Sequence, residues 1–361
     1  MKSRWKTVFV VFLLLVPLVA VSPTKVLAID NSECLDCHGD PDFSKELPNG
    51  KTVSLYVDQK RFETSVHGQN DVACTDCHSD ITSLNYDNDV PHPTNLKPVD
   101  CSQCHSDEAD AFSESVHGDL GEDGPSCKSC HNPHYTKYLA AATAEERNKE
   151  TCLKCHDPMD GHEFLPAKGL HFERLSCSAC HAPKAEKLAR LLPYNAVKNQ
   201  VISAETISKA LGADPDELLE KFDANGDGKL DTKEVLALLK EAKEKGVSFG
   251  LMGEMVADMA PEVHTISSEG ISDCFRCHSE KGEMLANVRL DLPKKDGSVA
   301  SYTLSKKVLH SVYPIRFYLL DSTRITLIDI IGALIVLGGV AFAGGHLTVR
   351  LLTIPLRRRE K

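Results

Sequence analysis

Cys34-Leu35-Asp36-Cys37-His38 opens a run of six stretches of one form. The others are Cys74-Thr75-Asp76-Cys77-His78, Cys101-Ser102-Gln103-Cys104-His105, Cys127-Lys128-Ser129-Cys130-His131, Cys152-Leu153-Lys154-Cys155-His156 and Cys177-Ser178-Ala179-Cys180-His181. A seventh, Cys274-Phe275-Arg276-Cys277-His278, stands apart, and together they use all 14 cysteines of the 361-residue chain. Structural zinc employs cysteine pairs at this spacing, but it needs four ligands per ion and gives no reason for histidine to follow every pair. A disulfide framework suits an exported chain, yet uniform three-residue spacing is poor geometry for many independent bridges.

Covalent attachment of c-type haem uses every residue of the repeat. Two thiols three residues apart form thioethers to the vinyl groups, and the adjacent imidazole reaches the iron. Successive motifs up to His181 lie only 25 to 40 residues apart, too few for each segment to build its own core. Porphyrins therefore supply much of the buried surface, in keeping with an aromatic content of 6%. The motif cysteines are the expected attachment points, and His38, His78, His105, His131, His156, His181 and His278 the expected proximal ligands of seven haems.

Sixteen histidines less these seven leave nine for the opposite faces of the irons. Ser65-Val66-His67-Gly68 precedes the second motif and Ser115-Val116-His117-Gly118 the fourth, while Leu170-His171 and Val263-His264 follow the pattern loosely. Internal repetition of this kind marks equivalent structural roles. The expected distal set is His67, His92, His117, His134, His171, His264 and His310; one soluble histidine is left over, and His162 or His134 is the one to drop. Met159, Met252, Met255 and Met259 are alternative ligands that would raise a potential.

A longer repeat joins the two ends of this region. Leu47-Pro48-Asn49-Gly50 leads into Val53–Val57 and then His67, and Leu292-Pro293 with Asp296-Gly297 leads into Val299–Leu304 and then His310. Asn-Gly and Asp-Gly before β-prone runs predict two hairpin-like units.

Between His181 and Cys274, Asp223-Ala224-Asn225-Gly226-Asp227-Gly228-Lys229-Leu230-Asp231-Thr232-Lys233-Glu234 matches an EF-hand calcium loop at every position. Its ligands would be Asp223, Asn225, Asp227, the Lys229 carbonyl, Asp231 and bidentate Glu234, with Gly228 at the turn. Helices are expected at 204–211 and around Phe249 to Met259, packed on this loop.

At the N-terminus, Lys2, Arg4 and Lys6 precede an apolar run from Val8 to Val21, and Val26-Leu27-Ala28 resembles a cleavage site. This reads as an export signal, with an uncleaved anchor second. Its removal would take the formal charge from −11 to −15, which argues against a nucleic-acid partner and favours basic redox partners. Ile330–Val349 is long and apolar enough to span a bilayer, and Arg350, Arg357, Arg358, Arg359 and Lys361 beyond it place that tail in the cytoplasm. Within the span, His346 is a candidate ligand for a haem b shared with a partner, or a quinone contact. An interfacial histidine beside Arg350 is an equally weighted reading.

The chain resembles the multihaem c-type cytochromes, and more closely the membrane-anchored seven-haem subunits that accompany a b-type cytochrome in menaquinol-oxidising complexes. The resemblance rests on Ser-Val-His-Gly before a haem motif, Pro91-His92-Pro93, Cys130-His131-Asn132-Pro133-His134 and the C-terminal span; the EF-hand insert departs from it. It implies electron transfer from a multispanning quinol-oxidising partner to periplasmic c-type cytochromes, in a chain held at the bacterial inner membrane. The rival is a reductase of nitrogen or sulfur oxyanions with one open haem, so enzymatic activity stays open.

The expected fold is mainly α with extensive irregular structure, wrapped around a haem stack, with two short β-hairpin-like units, an EF-hand insert and one transmembrane helix. Its divisions are a signal peptide (1–28), a domain for haems one to six (29–200), a helical insert (201–262), a seventh haem unit (263–322), the span (323–350) and a basic tail (351–361).

Overall fold

The computed structural model describes residues 29–279, 282, 285–310, 315–316 and 326–354. The expected signal peptide and the arginines beyond residue 354 lie outside these residues. Up to His181 the chain runs as short helices, single helical turns and irregular segments around one small hairpin. There β1 (Ser44–Glu46) pairs antiparallel with β2 (Thr52–Ser54). Gly50 N donates to Leu47 O at 2.9 Å within the turn, so the Asn-Gly signal closes the hairpin.

Beyond His181 the architecture changes to a six-stranded sheet, and the fold is mixed rather than mainly α. Its strands are β3 (Lys187–Asn195), β4 (Gln200–Val201), β5 (Gly250–Ala257), β6 (Val288–Pro293), β7 (Val299–Thr303) and β8 (Ile315–Arg316). They run β7-β6-β3-β5-β8, with β4 paired to β3. The second expected hairpin is β6 with β7, joined antiparallel from Arg289↔Thr303 to Pro293↔Val299. Helix was expected around Phe249 to Met259, but this stretch is β5. It lies antiparallel to β3 from Lys187↔Ala257 to Tyr194↔Gly250 and is buried from Leu251 to Ala257. A strand covered on both faces carries no alternation of polar and apolar residues to betray it.

Alternation of side chains across the sheet gives it two distinct faces. On one, Ala189, Leu191, Leu251, Met255, Leu290 and Leu292 form a core with Ile207 and Leu211 of the helix Ala204–Leu211. Leu218 and Phe222, before the acidic loop, and Val235 and Leu238, after it, join the same core. The helix Ala204–Leu211 appears where expected, capped by Ser203 and stopped by Gly212. Met252 and Met255 are spent in packing, at 5% and 2% exposure, and not on iron.

The other face meets the helix Ala144–Glu150, which leads to the fifth motif. Leu188 and Val256 pack against Ala144. Beside them Arg190, fully buried, donates to Glu254 Oε2 at 2.7 Å and to the carbonyls of Ala140 and Ala142 at 2.6 Å each. Ala144 N donates to the same Glu254 oxygen at 3.1 Å, and Arg147 reaches the same two carbonyls. Burial pushes Arg147 down to about 9 and raises Asp291. A buried charge persists only when paired and hydrogen-bonded; here the pairing fastens residues 140–147 to the sheet.

The helix Thr326–Leu352 is long and apolar enough to cross a membrane. Its Ile330–Leu352 portion, 23 residues, spans about 34 Å at helical rise, against roughly 30 Å of hydrocarbon.

Candidate haem-binding sites

Each motif folds into a helical turn, which explains its spacing. The backbone N–H of His78, His105, His131, His156 and His278 donates to the carbonyl of the first cysteine of the same motif, at 2.8 to 3.0 Å. Residues three and four apart share one helix face, so both sulfurs and the imidazole point the same way. Acidic caps start several of these turns: Asp30, Asp100 and Asp273 accept from Ser32 N, Ser102 N and Phe275 N.

Every motif histidine faces a second histidine. Ring centroids are 6.1 Å apart for His38 and His92, 6.4 Å for His78 and His134, and 6.2 Å for His105 and His67. They are 6.2 Å apart for His131 and His264, 6.1 Å for His156 and His117, 5.9 Å for His181 and His162, and 6.1 Å for His278 and His171. A ligating imidazole nitrogen sits about 2 Å from a transition metal, so two rings on opposite sides of one ion have centroids roughly 6 Å apart. All seven separations suit an iron between the rings, and the donor set fits haem.

The structure thus brings together six of the seven expected distal histidines with motif partners and adds His162, which the count had left over. His310 ends the helical turn Lys306–His310, but its side chain lies outside the described residues, and the seven pairs close without it.

Hydrogen bonding prepares these rings. The Nδ1 of His38, His67, His92, His162, His171, His181 and His264 lies 2.7 to 3.3 Å from the carbonyls of Leu55, Pro133, Pro93, Asp160, Ala167, Ser267 and Pro261. A carbonyl only accepts, so Nδ1 carries the proton and Nε2 keeps a free lone pair. Desolvation lowers the basicity of His78, His117, His131, His134 and His278, which favours the neutral ring that binds metal.

The thiols tell the same story from the other side. Burial raises Cys34, Cys74, Cys77, Cys101, Cys130, Cys180 and Cys277, Cys74 and Cys277 to about 11. Only Cys152 is drawn down, by a hydrogen bond from Cys177, which moves up in turn. The raised thiols are poor thiolate ligands or redox catalysts.

Local packing accounts for the repeated Ser-Val-His-Gly. Ser65 and Ser115 are fully buried, and their hydroxyls accept from Gly68 N and Gly118 N at 3.1 Å. A Cβ on either glycine would strike the carbonyl oxygen of Phe62 or Phe112. Val66 N and Val116 N then donate to Thr136 O and Ile266 O, at 2.8 and 2.9 Å. Serine, glycine and these backbone bonds aim His67 and His117.

In the acidic loop the carboxylates turn inward on backbone N–H groups. Glu234, 6% exposed, accepts from Ala224 N and Asp231 N at 2.9 and 2.8 Å, and Asp223 from Gly226 N and Gly228 N at 2.8 Å each. Gly228 has φ +76°, a conformation open to glycine. Among the described residues no three histidine, cysteine or acidic side chains converge at metal-binding distance. Leu230 bridges in parallel to Leu304, through Leu230 N to Thr303 O and Ser305 N to Leu230 O, both 3.0 Å. His346 is exposed on the apolar helix.

No curated protein and no solved structure matches the chain. Residues 117–161, which hold the fourth and fifth motifs, match the family described as a doubled CXXCH motif. With the paired imidazoles, that match indicates a multihaem c-type cytochrome with covalently bound haem c.

Proposed function

We propose that this chain is a membrane-anchored electron-transfer subunit with seven haem c groups, its haem region on the periplasmic side of a bacterial inner membrane. The observation that carries this reading is that all seven motif histidines face a second histidine. The distal ligands are then His92, His134, His67, His264, His117, His162 and His171, in motif order, and no motif keeps an open position for a substrate. Bound haem supplies one-electron chemistry. The chain fixes the axial ligands, their tautomers and the burial that tunes them.

The one candidate span among the described residues cannot by itself enclose a quinol site, so the membrane partner is a multispanning, quinol-oxidising b-type cytochrome, and the electron acceptors are periplasmic c-type cytochromes. His346 within the span is the residue placed to meet a haem b or quinone of that partner. The loop from Asp223 to Glu234 takes one calcium ion as a brace, its carboxylates exchanging backbone N–H partners for the ion.

Low-temperature EPR of the oxidised holoprotein tests this reading. Entirely low-spin ferric signals at seven haems per chain are expected. A stoichiometric high-spin signal that shifts on adding nitrite would overturn it in favour of a reductase.

A further inference from the structure

Cysteines of consecutive motifs lie close enough to interact, and they do so in two alternating ways. First cysteines interact between motifs one and two (Cys34 with Cys74), three and four (Cys101 with Cys127) and five and six (Cys152 with Cys177). The second cysteine of motifs two, four and six interacts with the motif that follows: Cys77 with Cys104 and Cys101, Cys130 with Cys152 and Cys155, and Cys180 with Cys277. First cysteines thus join motifs within the pairs one–two, three–four and five–six, and the second cysteine of each even-numbered motif leads on to the motif after it.

Hydrogen bonds follow the same succession. Cys74 N donates to Asn31 Oδ1 at 2.7 Å, and Cys177 N to Asn148 Oδ1 at 2.9 Å, so an asparagine shortly before motifs one and five caps the motif that follows. Lys97 N, ahead of motif three, donates to Asp80 beyond motif two at 2.8 Å. Lys154 of motif five donates to Cys130 O at 2.8 Å, and Ile271 N, ahead of motif seven, to Cys180 O at 3.2 Å.

The histidine pairs have the same two-motif period. His67, His117 and His171, each ahead of an even-numbered motif, face motifs three, five and seven. His134 and His264, which lie beyond motifs four and six, face motifs two and four. Motifs one and six depart from this pattern and face His92 and His162.

We infer that the haem centres stand in one unbranched file in sequence order, motif one at one end and motif seven at the other, built as a two-motif repeat with His92 at motif one and His162 at motif six standing outside it. The inference rests on the seven-haem reading above. Motif seven is the end nearest the apolar helix along the chain: after it the chain returns to the sheet, where Ile315–Arg316 pairs with β5. From Arg316 to Ile330 an extended chain reaches at most about 50 Å.

Crystals of the full-length holoprotein in detergent, measured at the iron absorption edge, give the test, with each anomalous peak assigned by the thioether density of its motif. Seven peaks are expected, each with the irons of the preceding and following motifs as its nearest neighbours. Seven peaks in a branched or reordered arrangement would overturn the file while leaving the seven-haem reading intact. Fewer than seven in fully loaded protein would overturn that reading, and the file with it.

Discussion

His162 stands 5.9 Å from His181 between ring centroids, at 82° between planes, and the ring of Phe172 meets His162 edge-on at 5.3 Å. A histidine outside every recognisable repeat thus occupies the position opposite the sixth motif. His162→Ala is expected to convert one haem per chain from low-spin to high-spin, read as a new ferric EPR signal. His310→Ala is expected to leave the spectrum entirely low-spin; a high-spin signal there would return His310 to the ligand set.

Gly68 and Gly118 each have a carbonyl oxygen where a Cβ would go. Gly68→Ala and Gly118→Ala are each expected to destabilise the holoprotein by about 1–3 kcal/mol, the usual cost of forcing atoms into filled space. Thermal unfolding followed at the Soret band measures this. An unchanged midpoint would show that the backbone yields freely.

Glu254 is fully buried against Arg190. Glu254→Ala leaves the guanidinium uncompensated and is expected to cost roughly 3–5 kcal/mol, whereas a well-packed apolar replacement of both residues costs far less. Denaturant unfolding of the single and double variants separates the two cases. Equal losses would mean that the pair acts through packing alone.

Desolvation lowers the folded-state pKa of His78, His117, His131, His134 and His278 below 6.5, and iron ligation acts in the same direction. The unfolded chain then takes up protons first as pH falls. Stability is therefore complete above 6.5 and declines below it. An acid titration followed by visible absorption and by denaturant midpoint is expected to show that decline, and a midpoint that rises on acidification would contradict it.

Calcium removal is expected to lower the thermal midpoint without altering the low-spin spectrum, because the acidic loop touches the sheet and no paired histidine. Calorimetric titration should find one calcium per chain and none in Glu234→Gln. The bridge from Leu230 to Leu304 predicts that hydrogen exchange on chelation rises along β7 as well as in the loop.

How much of this was written in the sequence depends on what kind of regularity each part carries. The seven motifs, both hairpin turns, the helix Ala204–Leu211 and the apolar helix all use local signals, and each appears where its residues point. The sheet does not. In β3 and β5 the charged Arg190 and Glu254 look like solvated positions, yet they face each other in the interior. Leucine, methionine and alanine around them favour helix locally, and only the pairing of distant strands overrides that preference. The histidine pairing was half legible. His67 and His117 announced themselves by repetition, but His162 stands outside the repeat and had no copy to reveal it.

The crossing of histidines between motifs also bears on how the molecule is made. A chain grown from its N-terminus presents Cys74 to His78 well before His134, and Cys127 to His131 before His264, the histidines that face them. On the seven-haem reading, the early motifs depend for their second imidazole on segments that follow them in the chain. A fragment ending near residue 200 would hold six motifs and still lack the imidazole that faces the fourth.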